Sequence, residues 1–185
     1  MIETNLDEQT IRRIVREEIE AALKKDPANK KAAIIASKGT LDWAYPPLIL
    51  STAAAASGMD VAVFFTFWGL RILQKNNTRT TGRNWKQRML SVFNRGGTDH
   101  LGLSKLQMGG MGPAMMRQLA REHKVAEPTE LLGMAQQLGV KLWPCQMSMD
   151  LMGLGRDDFI DGLPDVVGAA TAIQRMSESD INLFI

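Results

Sequence analysis

Short apolar runs without polar alternation recur along the chain, and segments of helical period separate them. Residues 32–37 (Ala32, Ala33, Ile34, Ile35, Ala36, Ser37) form the first run and residues 60–65 the second. Uninterrupted apolar runs of this length are expected of parallel strands covered on both faces. Between them the pattern predicts a helix over 44–57, ended by Gly58. Further along, a helix opens at Pro113, and a second spans 128–138 with Gly139 as its stop. A strand over 140–144 follows and ends at Pro144. A short strand at 165–167, a helix at 169–178 and a last strand at 181–185 complete the pattern. Strands alternating with helices predict an α/β sandwich with a mainly parallel sheet.

Two segments stand apart from this rhythm. Asn5 and Glu8 form a capping box for a first helix running to about Lys25. Its apolar stripe comprises Ile11, Ile14, Val15, Ile19, Ala22 and Leu23. Residues 1–29 therefore read as a helical extension that docks on the domain or on another subunit, and 30–185 as the domain proper. The second segment is a basic, Met-rich insertion at about 74–112, with a helix expected over 84–93. Between Asp60 and Asp99 there is no acidic residue, whereas Arg71, Lys75, Arg79, Arg83, Lys86, Arg88 and Arg95 are basic. A long excursion of this kind reads either as a solvated loop or as a docking surface for an acidic partner.

Composition narrows the classes. Hydrophobic residues make up 45% and charged residues 23%, which suits one domain with a real core. A net charge of +2 gives no case for nucleic acid. One cysteine excludes an internal disulfide and a multi-cysteine zinc site, so a reducing cytoplasm is expected. The first residues are polar, so no signal segment is predicted. The weakly polar stretch 53–73 is broken by Ser57, Gly58, Asp60 and Gly69, so no membrane span is predicted either. Twelve methionines, many between Met108 and Met152, supply either adaptable core or a surface that receives a partner.

In open parallel sheets, sites form outside the carboxyl ends of the strands. Three loops qualify. One carries Lys38, Gly39, Thr40 and Asp42, the next Thr66, Trp68 and Gly69, and the third Cys145. Cys145 follows Pro144 at the start of an expected helical turn, where partial positive charge favours thiolate over thiol. The residues alone leave a reactive and an inert Cys145 equally open. Lys38 is a candidate for lowering the thiol pKa, and Ser148 for satisfying free N–H groups of the turn. Lys38-Gly39-Thr40 lacks the spacing of a phosphate loop. His100 and His123 lie in no metal-ligand spacing with each other or with Cys145, and no metal or other cofactor is implied.

Two stretches together resemble the DsrE/DsrF-like family, which is related to sulfur-relay sulfurtransferases and sometimes labelled peroxiredoxin-like. They are 31–42 with Tyr45-Pro46-Pro47 behind it, and 140–153, which contains Trp143-Pro144-Cys145-Gln146-Met147-Ser148-Met149-Asp150. Residues 64–69 between them are similar to the family's second strand and its loop. The resemblance implies a three-layer α/β/α sandwich with a five-stranded sheet, commonly in homo-oligomers. It also implies a persulfide-carrying cysteine, here Cys145, that serves donor and acceptor proteins or small thiols. The alternatives are a non-catalytic module for a small anion or nucleotide, motivated by Lys38, Gly39 and Thr40, and, more distantly, a thiol peroxidase. The chain has no Thr-x-x-Cys peroxidatic arrangement and no resolving cysteine.

Overall fold

A computed structural model describes residues 30–76, 84–93 and 95–185, together with Arg13 and Gly82. The expected N-terminal helix lies outside the described residues, as do Arg79 and Arg83 of the basic insertion. The ordered elements run β1 (Lys31–Ala36), α1 (Leu41–Ala56), β2 (Asp60–Phe65), α2 (Leu70–Leu73), α3 (Trp85–Phe93), α4 (Met111–Glu122), α5 (Pro128–Gln137), β3 (Lys141–Pro144), α6 (Gln146–Met152), α7 (Ala169–Ser177) and β4 (Ile181–Phe184). The four strands form one parallel sheet in the order β3-β2-β1-β4.

Alternate residues of the strands sort the core into two layers, as the period of two requires. Ala32, Ile34, Ala36, Val61, Val63, Phe65 and Leu142 face α1 and α5, packing with Leu41, Leu48, Leu131 and Ala135. On the opposite face Phe64, Ile35, Trp143, Cys145 and Val167 meet Ala172 of α7. Arg175 of α7 anchors that helix by donating to the Asp60 carboxylate at 2.8 Å and to the Asp60 carbonyl at 2.6 Å. Lys141 binds the same carboxylate at 2.9 Å, so one acidic residue joins β2, β3 and α7.

The sheet has four strands among the described residues, not the five the family resemblance implies. The segment 165–167 lies beside β3 but makes a single parallel bridge, Cys145 with Val167. Two bonds form it: Val167 N–H to the Pro144 carbonyl at 3.1 Å and Gln146 N–H to the Val167 carbonyl at 3.0 Å. The next rung of a parallel ladder would need the N–H of Pro144, which proline lacks. The fifth strand is cut to one residue by the proline that precedes the cysteine.

Other differences are local. Helix α1 begins at Leu41, three residues before its expected start, because Leu41 is fully buried and its N–H donates to the Gly102 carbonyl at 2.7 Å. The insertion is not wholly a solvated excursion. Leu101 and Leu103 enter the main core, and Thr98 is buried against Thr129 with their hydroxyls 2.6 Å apart. The methionines divide likewise. Met149 and Met152 are core, while Met108, Met111, Met115 and Met147 face outward.

Candidate functional site

The carboxyl ends of β2 and β3 lie side by side, and the chain turns into α6 immediately after β3. Cys145 stands at that junction as the N-cap of α6, with extended backbone (φ −77°, ψ 118°). Its N–H donates to the Phe65 carbonyl at 2.9 Å, so its backbone is held to β2 on one side and to Val167 on the other. The side chain turns toward the α7 face among Phe64, Val167 and Ala172, and the residue is only 3% exposed.

Burial pushes the thiol pKa up, yet the net shift is downward. What overcomes burial is a set of donors: the hydroxyl and N–H of Ser148, the hydroxyl of Thr66 and the N–H of Met147. No side-chain hydrogen bond caps α6 from Cys145 in this geometry. These donors therefore act as a surround of dipoles favouring the charged sulfur, not as caps already made.

Ser148 is oriented by its own partners. The N–H of Phe67 donates to its oxygen at 3.0 Å, and Thr66 Oγ1 lies 3.0 Å away. Either hydroxyl can donate in that contact, so the pair keeps one proton free for the sulfur, that of Ser148 when Thr66 donates and that of Thr66 when Ser148 does. Phe67, whose N–H makes that bond, has a left-handed backbone (φ 46°), a conformation uncommon for a bulky residue. Asp150 is turned aside, accepting from Gln146 Nε2 at 2.9 Å, and so spares the thiolate a carboxylate neighbour.

The structure unites Thr66 and Ser148 with Cys145 and gives the first loop a different task. The Lys38 ammonium lies 3.1 Å from the centre of the Trp43 ring, a cation–π contact, and is not among the groups that lower the thiol pKa. That contact gives Lys38 a partner other than the thiol it was expected to activate. Gly39 is required by close approach: a Cβ there would overlap the Trp68 carbonyl, and one at Gly69 would overlap the Ala36 carbonyl. The Lys38-Gly39-Thr40 turn is thus packed against the second loop. Trp68 contributes its backbone to that contact, and its indole is partly exposed.

Arg71 was not legible as a site residue. Its guanidinium donates to the carbonyls of Gly39 (3.0 Å), Arg95 (2.7 Å) and His100 (3.5 Å), clamping the insertion onto the two loops. Burial lowers its pKa. Carbonyl acceptors leave no mark in side-chain spacing, so no sequence signal could have shown this. No group of three or more metal-ligating side chains occurs among the described residues.

Comparison with known proteins decides the lineage. The model of the DsrE/DsrF/DrsH-like family matches residues 28–184. The chain belongs to that family. It is 43% identical over 157 residues to the sulfur carrier protein DsrE2 of Allochromatium vinosum, covering 84% of this chain and 98% of that protein. It is 35% identical over 156 residues to the uncharacterized protein YrkE of Bacillus subtilis, covering 84% and 97%. The fold is also that of the crystal structure of the ychN protein from E. coli, with a TM-score of 0.53, 12% identity, and coverage of 84% of this chain and 99% of that one. Among the described residues, no helix is long and apolar enough to cross a membrane.

Proposed function

We propose that this DsrE/DsrF/DrsH-like protein is a sulfur carrier in which Cys145 holds sulfur as a persulfide. The observation that carries the reading is the donor set of Ser148, Thr66 and Met147, which brings the thiol pKa down against its burial. The sulfur-carrier name of the Allochromatium relative supports it.

The step is a thiol exchange without net oxidation. The Cys145 thiolate attacks the outer sulfur of a donor R–S–SH. A bond forms between Sγ and that sulfur, the bond to the donor's inner sulfur breaks, and R–S⁻ leaves with the electron pair. The proton stays on the transferred sulfur. An acceptor thiolate then removes the outer sulfur in the same way and restores Cys145 as thiolate. Ser148 and Thr66 stabilise negative charge on Sγ at both ends of the cycle. Because the sulfur is buried, the side chains at the carboxyl ends of β2 and β3 must part to admit the donor.

Donors and acceptors are proteins or small thiols of a reducing cytoplasm, and the basic stretch around Lys86, Arg88 and Arg95 offers an acidic partner an electrostatic landing. We assign the working form to a homo-oligomer. The test is intact mass after incubation with a small persulfide donor, then with an acceptor thiol. Gain of one sulfur atom by the wild type, its loss to the acceptor, and no gain by Cys145→Ser are expected. Equal gain by Cys145→Ser overturns the reading.

A further inference from the structure

A cavity of about 250 Å³ opens beside the outer edge of β3, away from the thiol. Its apolar floor includes Pro144 and Phe159, and its rim carries Lys75, Arg156, Asp157 and Asp161. Pro144 and Phe159 are buried, and Phe159 belongs to the main core.

The walls are held in place before any ligand arrives. Gln74 and Phe159 form an antiparallel bridge, the Lys75 N–H donates to the Asp158 carbonyl at 2.9 Å, and the Ile160 N–H to the Leu73 carbonyl at 2.9 Å. Gln136 Nε2 fixes the Asp161 carbonyl at 2.8 Å, and Arg156 reaches across the segment to the Leu163 carbonyl at 2.9 Å. A preformed site loses little order on binding.

Apart from the Arg156 bond to the Leu163 carbonyl, the rim charges are only loosely used within the chain. Lys75 pairs with Asp161 at 3.0 Å, but that carboxylate is 95% exposed. Arg156 meets Asp165 at 3.7 Å across a fully exposed side chain, and Asp157 has no side-chain partner among the described residues. Such surface pairs contribute little, so a ligand can exchange them at small cost. Two cations and two carboxylates on one small rim leave a simple anion or a simple cation facing like charge. A molecule with an ammonium and a carboxylate on one carbon meets opposite charge at each end. The volume is below the range of about 300–1,000 Å³ typical of pockets for drug-sized ligands.

We propose that this cavity binds a small zwitterionic α-amino acid. Its carboxylate meets Lys75 and Arg156, its ammonium meets Asp157 and Asp161, and its side chain lies over Pro144 and Phe159. The site is independent of sulfur transfer at Cys145, whose side chain occupies the α7 face of the sheet.

The probe is L-methionine, titrated into the isotope-labelled full chain and followed by backbone amide NMR shifts. Saturable shifts confined to Lys75 and residues 156–166 are expected. L-methionine methyl ester lacks the carboxylate charge and N-acetyl-L-methionine lacks the ammonium. Each should bind about tenfold more weakly, the loss of one charge-assisted contact. Lys75→Gln, which gives up only an exposed ion pair, and Asp157→Asn should weaken L-methionine by a similar factor. Cys145→Ser should bind it as the wild type does, so failure of the persulfide reading and failure of this one are separable. No saturation by about 10 mM, weaker than millimolar affinity, overturns the proposal. Equal binding of all three probes also overturns it, since the rim charges then do nothing.

Discussion

Thr66 and Ser148 lie 82 positions apart in sequence, and their hydroxyl oxygens are 3.0 Å from each other. That contact joins the end of β2 to the first turn of α6 beside the one cysteine of the chain. A hydroxyl pair at this point serves packing and chemistry together. It ties two loops at the carboxyl edge of the sheet and directs a proton toward the sulfur.

Removing the pair should return Cys145 toward, and with burial beyond, the ordinary thiol range near pH 8.5. The pH profile of iodoacetamide alkylation checks it. Wild type should turn over below that value, Ser148→Ala well above the wild type, and Thr66→Val between them. Ser148→Ala also strands the Phe67 N–H and should cost about 1–2 kcal/mol in denaturant unfolding. Thr66→Ser keeps the donor and should match the wild-type profile.

Lys38→Met should leave that alkylation profile unchanged, since the ammonium is stacked on Trp43. The variant loses a cation–π contact of about 0.5–1 kcal/mol at an exposed position. An upward move of the Cys145 profile in Lys38→Met would restore the lysine to the site.

Much of this arrangement could be read from the chain, and the remainder could not for definite reasons. The run from Asp60 to Phe65 is apolar without alternation because both faces of β2 are covered, so its bounds were plain. Cys145 at the start of a helical turn was equally plain from Pro144 before it. Residues 165–167 have the composition of a strand, but pairing depends on donors of the neighbouring strand, and Pro144 withholds one. Lys38 sits on the expected loop, yet a flexible side chain chooses among partners in space, and here it is stacked on Trp43. The backbone contacts of Gly39, Gly69 and Arg71 carry no side-chain pattern at all.

Gly39→Ala should be among the most damaging small substitutions in the molecule. The added Cβ would overlap the Trp68 carbonyl, a backbone atom that cannot swing aside. Separation of the first two loops should cost about 3 kcal/mol, at the upper end for overpacking, measured by urea unfolding. Because Thr66 lies two residues before Trp68, the displaced loop should also blunt the alkylation shift at Cys145. A Gly39→Ala protein with wild-type stability would show that the loops do not touch as described.

Asp60 gives the fold an acid-sensitive joint. Hydrogen bonding from Arg175 is the largest influence on its carboxyl, with Lys141 adding to it, and its pKa is lowered despite partial burial. A carboxylate with a depressed folded pKa contributes stability above its unfolded value of about 3.9, and that contribution is lost as pH falls through the folded value. Stability measured by urea midpoint should therefore drop in acid, below about pH 4, more steeply in wild type than in Asp60→Asn. At pH 7 Asp60→Asn should already be weaker by about 2 kcal/mol, since Arg175 is 8% exposed and loses its counter-charge while Asp60 itself is partly solvated. The loosened element would be α7, so amide exchange in Ala169–Ser177 should quicken first, and since Ala172 of α7 helps cover Cys145, alkylation of the thiol should quicken with it. Wild type and Asp60→Asn with parallel acid profiles would remove the joint from the account of stability.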